Sequence, residues 1–116
     1  MASDVELAWA AGFFDGEGST SVLSTKRDKY TYLRMSVSQK NPQLLEKFLS
    51  IVGCGKIYKS NQRPIHSWDC YIEKDCESVL ALLWPFLGEQ KKHQADKARN
   101  KVAACRTKEK VVVCND

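Results

Sequence analysis

The sequence predicts an α+β fold of αββαββα(α) order, with two β-hairpins joined in one curved, antiparallel four-stranded sheet. Three observations carry this. Two pairs of short segments alternate polar and apolar residues with period two, as half-buried strands do. Each pair follows a segment with helical apolar spacing that is bounded by cap and stop residues. Each hairpin has one apolar face for helices to cover. The 116 residues hold one core and not two. They divide into a single domain over 1–106 and a short flexible tail over 107–116.

The first helix runs from about Val5 to Phe14, with Asp4 or Ser3 as its cap. Leu7, Trp9, Phe13 and Phe14 form its core side. Ala8 and Gly12 lie four apart, as do Ala11 and Asp15, and make a strip of small residues against which a second backbone can pack. Gly18 ends the element. Ser19–Thr25 and Tyr30–Gln39 then read as strands joined by a charged turn, Lys26–Lys29. In the second strand Leu33, Met35 and Val37 point one way, and Tyr32, Arg34, Ser36 and Ser38 the other.

Asn41 caps the second helix and Pro42 takes its first position. Leu44, Leu45, Phe48, Leu49 and Val52 recur at helical spacing before the stop at Gly53. In the second hairpin Lys56, Tyr58 and Ser60 flank Ile57, and Trp68, Cys70 and Ile72 alternate with Ser67, Asp69 and Tyr71. A third helix, Asp75–Leu83, is interrupted at Pro85, and a last basic helix runs from about Glu89 to Cys105. Trp9, Phe13, Phe48, Trp68, Trp84 and Phe86 are the expected aromatic core.

Composition narrows the function. Hydrophobic residues at 43% and charged residues at 28% fit a globular domain and argue against disorder. No apolar run is long enough to cross a bilayer, so no membrane partner is expected. No basic-then-apolar leader is seen. Five cysteines, an odd count with no CxxC pair, suit a reduced intracellular protein better than a disulfide scaffold. Zinc is not expected, because His66 and His93 lie at ligand spacing from no cysteine pair. Net charge is only +4, but Glu89–Lys110 carries eight Lys or Arg against three acids. That segment suits phosphates, and equally a solvated helix face.

Two features point to chemistry. Asp15 and Glu17, interleaved with Gly16 and Gly18, fall at the negative end of the first helix's dipole. A carboxylate is disfavoured there unless a cation or a donor meets it. The uncovered sheet face is polar and aromatic: Tyr30, Tyr32, Arg34, Lys56, Tyr58, Asp69 and Tyr71. A curved ribbon of this kind fits a DNA major groove, the other reading being a plain solvent-facing sheet.

The nonamer Ala10-Ala11-Gly12-Phe13-Phe14-Asp15-Gly16-Glu17-Gly18 resembles the signature of the LAGLIDADG homing endonucleases. So do Val37-Ser38-Gln39-Lys40 at a strand end, and Pro85-Phe86-Leu87 followed by Lys91-Lys92-His93-Gln94-Ala95. The resemblance covers roughly residues 5–100. It implies that Glu17 and the carbonyl of Gly16 hold a divalent metal, expected to be Mg²⁺, and that Gln39 orders water. It places Lys91 near the scissile phosphate, with Lys92 the alternative, and gives Asp15 a cap on a partner helix. Gln43 stands where some relatives carry a basic residue.

The motif occurs once, so the resemblance implies a homodimer built on Ala8, Ala11, Gly12 and Asp15, cutting both strands of a long, near-palindromic double-stranded DNA. Arg34 is the candidate reader of guanine and Asp69 of cytosine, with Tyr32, Tyr58 and Lys56 as further base readers. Ser21, Leu23, Thr25, Tyr30 and Ser36 extend that surface on the first hairpin, and Ser60, Ser67 and Tyr71 on the second. Arg27, with Lys26 and Lys29, would hold backbone. The rival readings are a cleavage-deficient DNA- or RNA-binding protein on the same fold, such as an intron maturase or a regulator, and a small dimerising interaction domain.

Overall fold

The computed structural model describes residues 2–24 and 31–114, with side chains as far as Arg106. The order is α1 (Asp4–Glu17), β1 (Gly18–Ser24), β2 (Thr31–Gln39), α2 (Pro42–Val52), β3 (Lys56–Lys59), β4 (His66–Cys70), α3 (Glu73–Leu83), a 3₁₀ turn (Trp84–Phe86) and α4 (Glu89–Cys114). The four strands form one antiparallel sheet in the order β1-β2-β4-β3. The α+β expectation and its element order hold. Thr25, Lys26, Arg27, Lys29 and Tyr30, expected on the first hairpin and its turn, lie outside the described residues.

Ser3 caps α1 through a reciprocal box with Glu6: its hydroxyl accepts from Glu6 N at 3.2 Å, and Glu6 accepts from Ser3 N at 3.0 Å. The helix runs one turn past its expected end, so Asp15, Gly16 and Glu17 are helical. Tertiary bonds override the two glycines' low helix propensity here. Gly18 N donates to Phe14 O, and the Asp15 carboxylate accepts from Gly88 N at 3.0 and 3.1 Å. Asn41 caps α2, whose stop, Gly53, is left-handed at φ +80°. Helix α4 continues to Cys114, beyond the expected end at Cys105.

The core lies between the sheet and the helices. Leu33, Met35 and Val37 of β2 are buried with Trp68 and Cys70 of β4, as their alternation requires. They pack on Phe14, Leu45, Phe48, Val79, Leu80 and Leu83. Phe48 meets Trp68 edge-on at 4.8 Å between centroids and stacks on Phe14 at 6.3 Å. Of the expected aromatic core only Phe48 and Trp68 are fully buried; Trp9 and Phe13 are partly buried against it. Phe86 is exposed on the 3₁₀ turn, and Trp84 is only half-buried, beneath Arg99 at 5.2 Å. Ile72 is exposed too, because the chain leaves β4 after Cys70.

Candidate active site and sheet face

Helix α1 divides into two sides. Ala10, Ala11 and Phe14 are fully buried. Ala8, Gly12, Gly16 and Glu17 are exposed, and a Cβ added at Gly12 or Gly16 would meet nothing within 4 Å. This corrects the small-residue strip. Ala11 faces its own core, and the exposed run is Ala8-Gly12-Gly16. Asp15 is corrected as well. Its carboxylate is turned to Gly88 of its own chain, whose carbonyl accepts the first α4 bond from Lys92 N at 3.1 Å.

The end of α1 is built to leave a carbonyl free. Continuing the helix would require Thr20 N to donate to Gly16 O. Thr20 N donates instead to Gln94 Oε1 at 2.9 Å, which also covers the outer edge of β1. Gly16 O is therefore left without its helical partner at the negative end of the dipole. The Glu17 side chain beside it lines an open hollow of about 360 Å³ together with Ser38, Gln39, Lys40 and Ile65.

Gln39 ends β2 and pairs in register with His66, whose Nδ1 is buried without a hydrogen-bond partner among the described residues. Lys91, in the first turn of α4, donates from Nζ to Gly18 O at 2.6 Å, one residue from Glu17. Lys92 turns the other way, 3.8 Å from Glu89 Oε1 and 5.7 Å from the Trp84 ring centre. The fold thus brings Glu17, Gly16, Gln39 and Lys91 to one corner and separates the two lysine candidates.

Sequence reasoning missed Lys40. It is exposed and lines the hollow, where it supplies a cation. The signal was its place directly after Gln39. The basic character of α4, by contrast, is partly spent within the domain. Arg99 forks onto Glu77 at 2.8 and 3.1 Å, and Arg106 meets Glu73 at 2.7 Å.

The open face carries Ser21, Leu23, Tyr32, Arg34, Ser36, Lys56, Tyr58, Ser67 and Asp69, by the register of the strands. Its groups are already joined to one another. Arg34 pairs with Asp69 at 3.0 Å, Ser67 donates to Asp69 at 3.3 Å, and Ser36 lies 3.4 Å from Ser67. Arg34 and Asp69, expected to read separate bases, are paired with each other in the chain without DNA. Tyr58 and Tyr71 share a hydrogen bond of 2.7 Å, which pushes the Tyr71 hydroxyl above its ordinary pKa. The Ser60 hydroxyl accepts from Gln62 and Arg63 N–H groups and so shapes the β3–β4 turn.

A family model described as LAGLIDADG endonuclease matches residues 10–101. An intron-encoded DNA endonuclease, ai2b, of Dictyostelium discoideum is 41% identical over 54 residues, which make 47% of this chain and 20% of that protein. The chain therefore spans about a fifth of the length of that curated relative. Among solved structures, homing endonuclease I-GzeII in complex with its DNA target superposes at a TM-score of 0.74 and 26% identity, over 94% of this chain and 39% of that one. Homing endonuclease I-TnaI superposes at 0.74 and 20% identity, over 92% and 78%. Homing endonuclease I-CvuI, crystallised with an I-CreI target in 2 mM Mg with the DNA not cleaved, superposes at 0.70 and 21%, over 88% and 66%. A family match across most of the residues, on a fold that these structures share, shows that the chain belongs to the LAGLIDADG homing endonuclease family.

Proposed function

We propose that the chain is a site-specific DNA endonuclease that cleaves both strands of a long, near-palindromic duplex by metal-dependent hydrolysis as a homodimer. One observation carries this: the Glu17 carboxylate, next to the Gly16 carbonyl in sequence at the negative end of α1, lines a hollow shared with Gln39 and Lys40. That donor set suits a hard divalent ion such as Mg²⁺, which takes one or two carboxylates and keeps several waters. When bound, such an ion supplies charge neutralisation at the phosphate and a water of lowered pKa.

The chain's own groups do the rest. The Gln39 amide orients the attacking water. Lys91 has one N–H fixed on Gly18 O, which leaves two for the phosphate oxygens as charge develops there. The open sheet face lies along the groove, with Arg34 as its principal base reader.

The dimer follows from what one chain lacks. A single Glu17 serves a single cut, and a duplex break needs two. The exposed Ala8-Gly12-Gly16 run leads straight to Glu17, so packing two such runs brings two carboxylates to one axis.

The test uses a randomised duplex library with Mg²⁺, sequencing the cut ends. Paired cuts that vanish in Glu17→Gln while DNA binding persists support the proposal. Selective binding with no cuts from the wild type overturns it in favour of a cleavage-deficient binder. Sedimentation adds a second arm, with Gly12→Leu expected to shift a dimer to monomers of unchanged melting temperature. A wild-type chain that stays monomeric with and without DNA sinks the dimer.

A further inference from the structure

Three cysteines with no part in the reading above meet at the far end of β4. Cys54 follows the stop of α2, Cys70 ends β4, and Cys76 lies in α3. The Cys70 and Cys76 sulfurs are 3.7 Å apart. The Cys54 and Cys70 sulfurs and a carboxylate oxygen of Asp75 lie within 4.8 Å of one another. Two thiolates on one tetrahedral zinc, each about 2.3 Å from it, stand about 3.8 Å apart. The Cys70–Cys76 pair already has that spacing, and Cys76, whose thiol donates to Cys70 O at 3.2 Å, must turn toward Cys54 and Asp75 to complete the set.

The surroundings favour an ion too. Cys70 and Cys76 are sealed in the core, while Cys54 and Asp75 line a hollow of about 250 Å³ that gives a path from solvent. Lys56 lines the same hollow and offsets negative charge. The Asp75 carboxylate has no ion pair or hydrogen bond among the described residues. The Cys54 thiol makes long contacts to Asp75 O at 3.7 Å and Val52 O at 3.9 Å and lies against the Cys70 sulfur. Thiolate ligands select a soft or borderline ion over Mg²⁺.

We propose that Cys54, Cys70, Cys76 and Asp75 form a structural site for a thiophilic divalent cation, zinc in the first instance, which ties the end of α2, the end of β4 and the start of α3 together. Binding displaces the three thiol protons to solvent and changes no oxidation state. The site is separate from the Glu17 corner and needs neither DNA nor a second copy.

The experiment is a Co²⁺ titration of the reduced, metal-stripped full chain without DNA, followed by Zn²⁺. The expected result is one tetrahedral thiolate–Co²⁺ spectrum per chain, displaced by about one equivalent of Zn²⁺ and not by excess Mg²⁺, with a higher melting temperature. Cys54→Ser should weaken the charge-transfer band, Asp75→Asn should keep it but weaken Co²⁺ affinity, and Cys105→Ser should change neither. If the Cys54 variant does not fold, alkylation mapping of the wild type decides, since zinc should protect Cys54, Cys70 and Cys76 but not Cys105. A spectrum without thiolate character, or alkylation of the three at the same rate with and without zinc, overturns the proposal. So does isolation of the reduced-buffer protein with Cys70 and Cys76 joined as a disulfide that excludes the metal.

Discussion

The two ends of β4 offer opposite kinds of ligand. Near His66 the groups are oxygens and a lysine: the Glu17 carboxylate, the Gln39 amide and Lys40 around an exposed hollow. Near Cys70 they are sulfurs in the core, with one half-buried carboxylate. The first end is open to solvent, which suits a reaction at a bound phosphate. The second is enclosed and needs nothing from outside but an ion, which suits holding three elements in place. Burial separates the roles, because an exposed carboxylate stays accessible to an ion and to substrate. Burial instead raises a thiol's pKa, as at Cys54, pushed up to about 11 by desolvation first.

The sharpest break of this comparison is Glu17→Gln. Removing the one carboxylate at the open end should cost several kcal/mol of transition-state stabilisation, or roughly 10³-fold or more in cleavage. Binding of the duplex, by gel shift, and zinc content at the other end should both be unchanged. Retained cleavage would mean that the oxygen-lined end is not the reacting one.

Next in size is Lys91→Met. Its ammonium is fixed by the Gly18 carbonyl at 2.6 Å, so its position survives without substrate. Loss of one such preorganised donor is expected to slow single-turnover cleavage by about 10²-fold. Lys92→Met, beside Glu89 and Trp84, should change it little. Equal effects from both would mean that basic charge on α4 matters and its placement does not.

The two ends also differ in how far the sequence disclosed them. Glu17, Gly16 and Asp15 sit in one contiguous stretch, and a carboxylate at a helix's negative end is conspicuous without any coordinates. Gln39 was legible only through the resemblance of Val37-Ser38-Gln39-Lys40 to the family's strand end. What the sequence could not order was the choice between Lys91 and Lys92, adjacent on one helix and separated only by what each meets. The Arg34–Asp69 pair was hidden likewise, since either side chain alone fits a base edge, and only the β2–β4 register sets them against each other. The sulfur cluster was least legible of all. Its members come from three elements with no repeated spacing, and a search for close-set ligand pairs passes over them. In α1 the glycines pointed to an early stop. The helix goes on because Asp15 and Gly18 find partners that no local window contains.

Gly55→Ala tests how rigidly the sulfur end is built. Gly55 has φ +94°, and a Cβ there would come within 2.4 Å of the Trp68 indole nitrogen. That nitrogen donates to Cys54 O at 2.9 Å, so the clash would push directly on the Cys54 segment. Left-handed strain of about 1–2 kcal/mol and overpacking of similar size predict a loss of about 2–3 kcal/mol in urea unfolding. Zinc affinity should fall with it. A neutral result would show that the α2–β3 link yields easily and does not hold Cys54 in place.

Asp15→Ala should have the smallest effect, and it separates cap from chemistry within the motif. The carboxylate receives the Gly88 N–H at the start of α4 and adds negative charge where that helix's dipole favours it. Its loss removes one cap, at about 1 kcal/mol of stability by denaturant melt, with Asp15→Asn retaining most of that. Because the same turn of α4 carries Lys91, cleavage should drop a few-fold in step with local fraying and recover at lower temperature. A loss as deep as that of Glu17→Gln, with stability intact, would place Asp15 among the reacting groups and make the open end a two-carboxylate site within each chain.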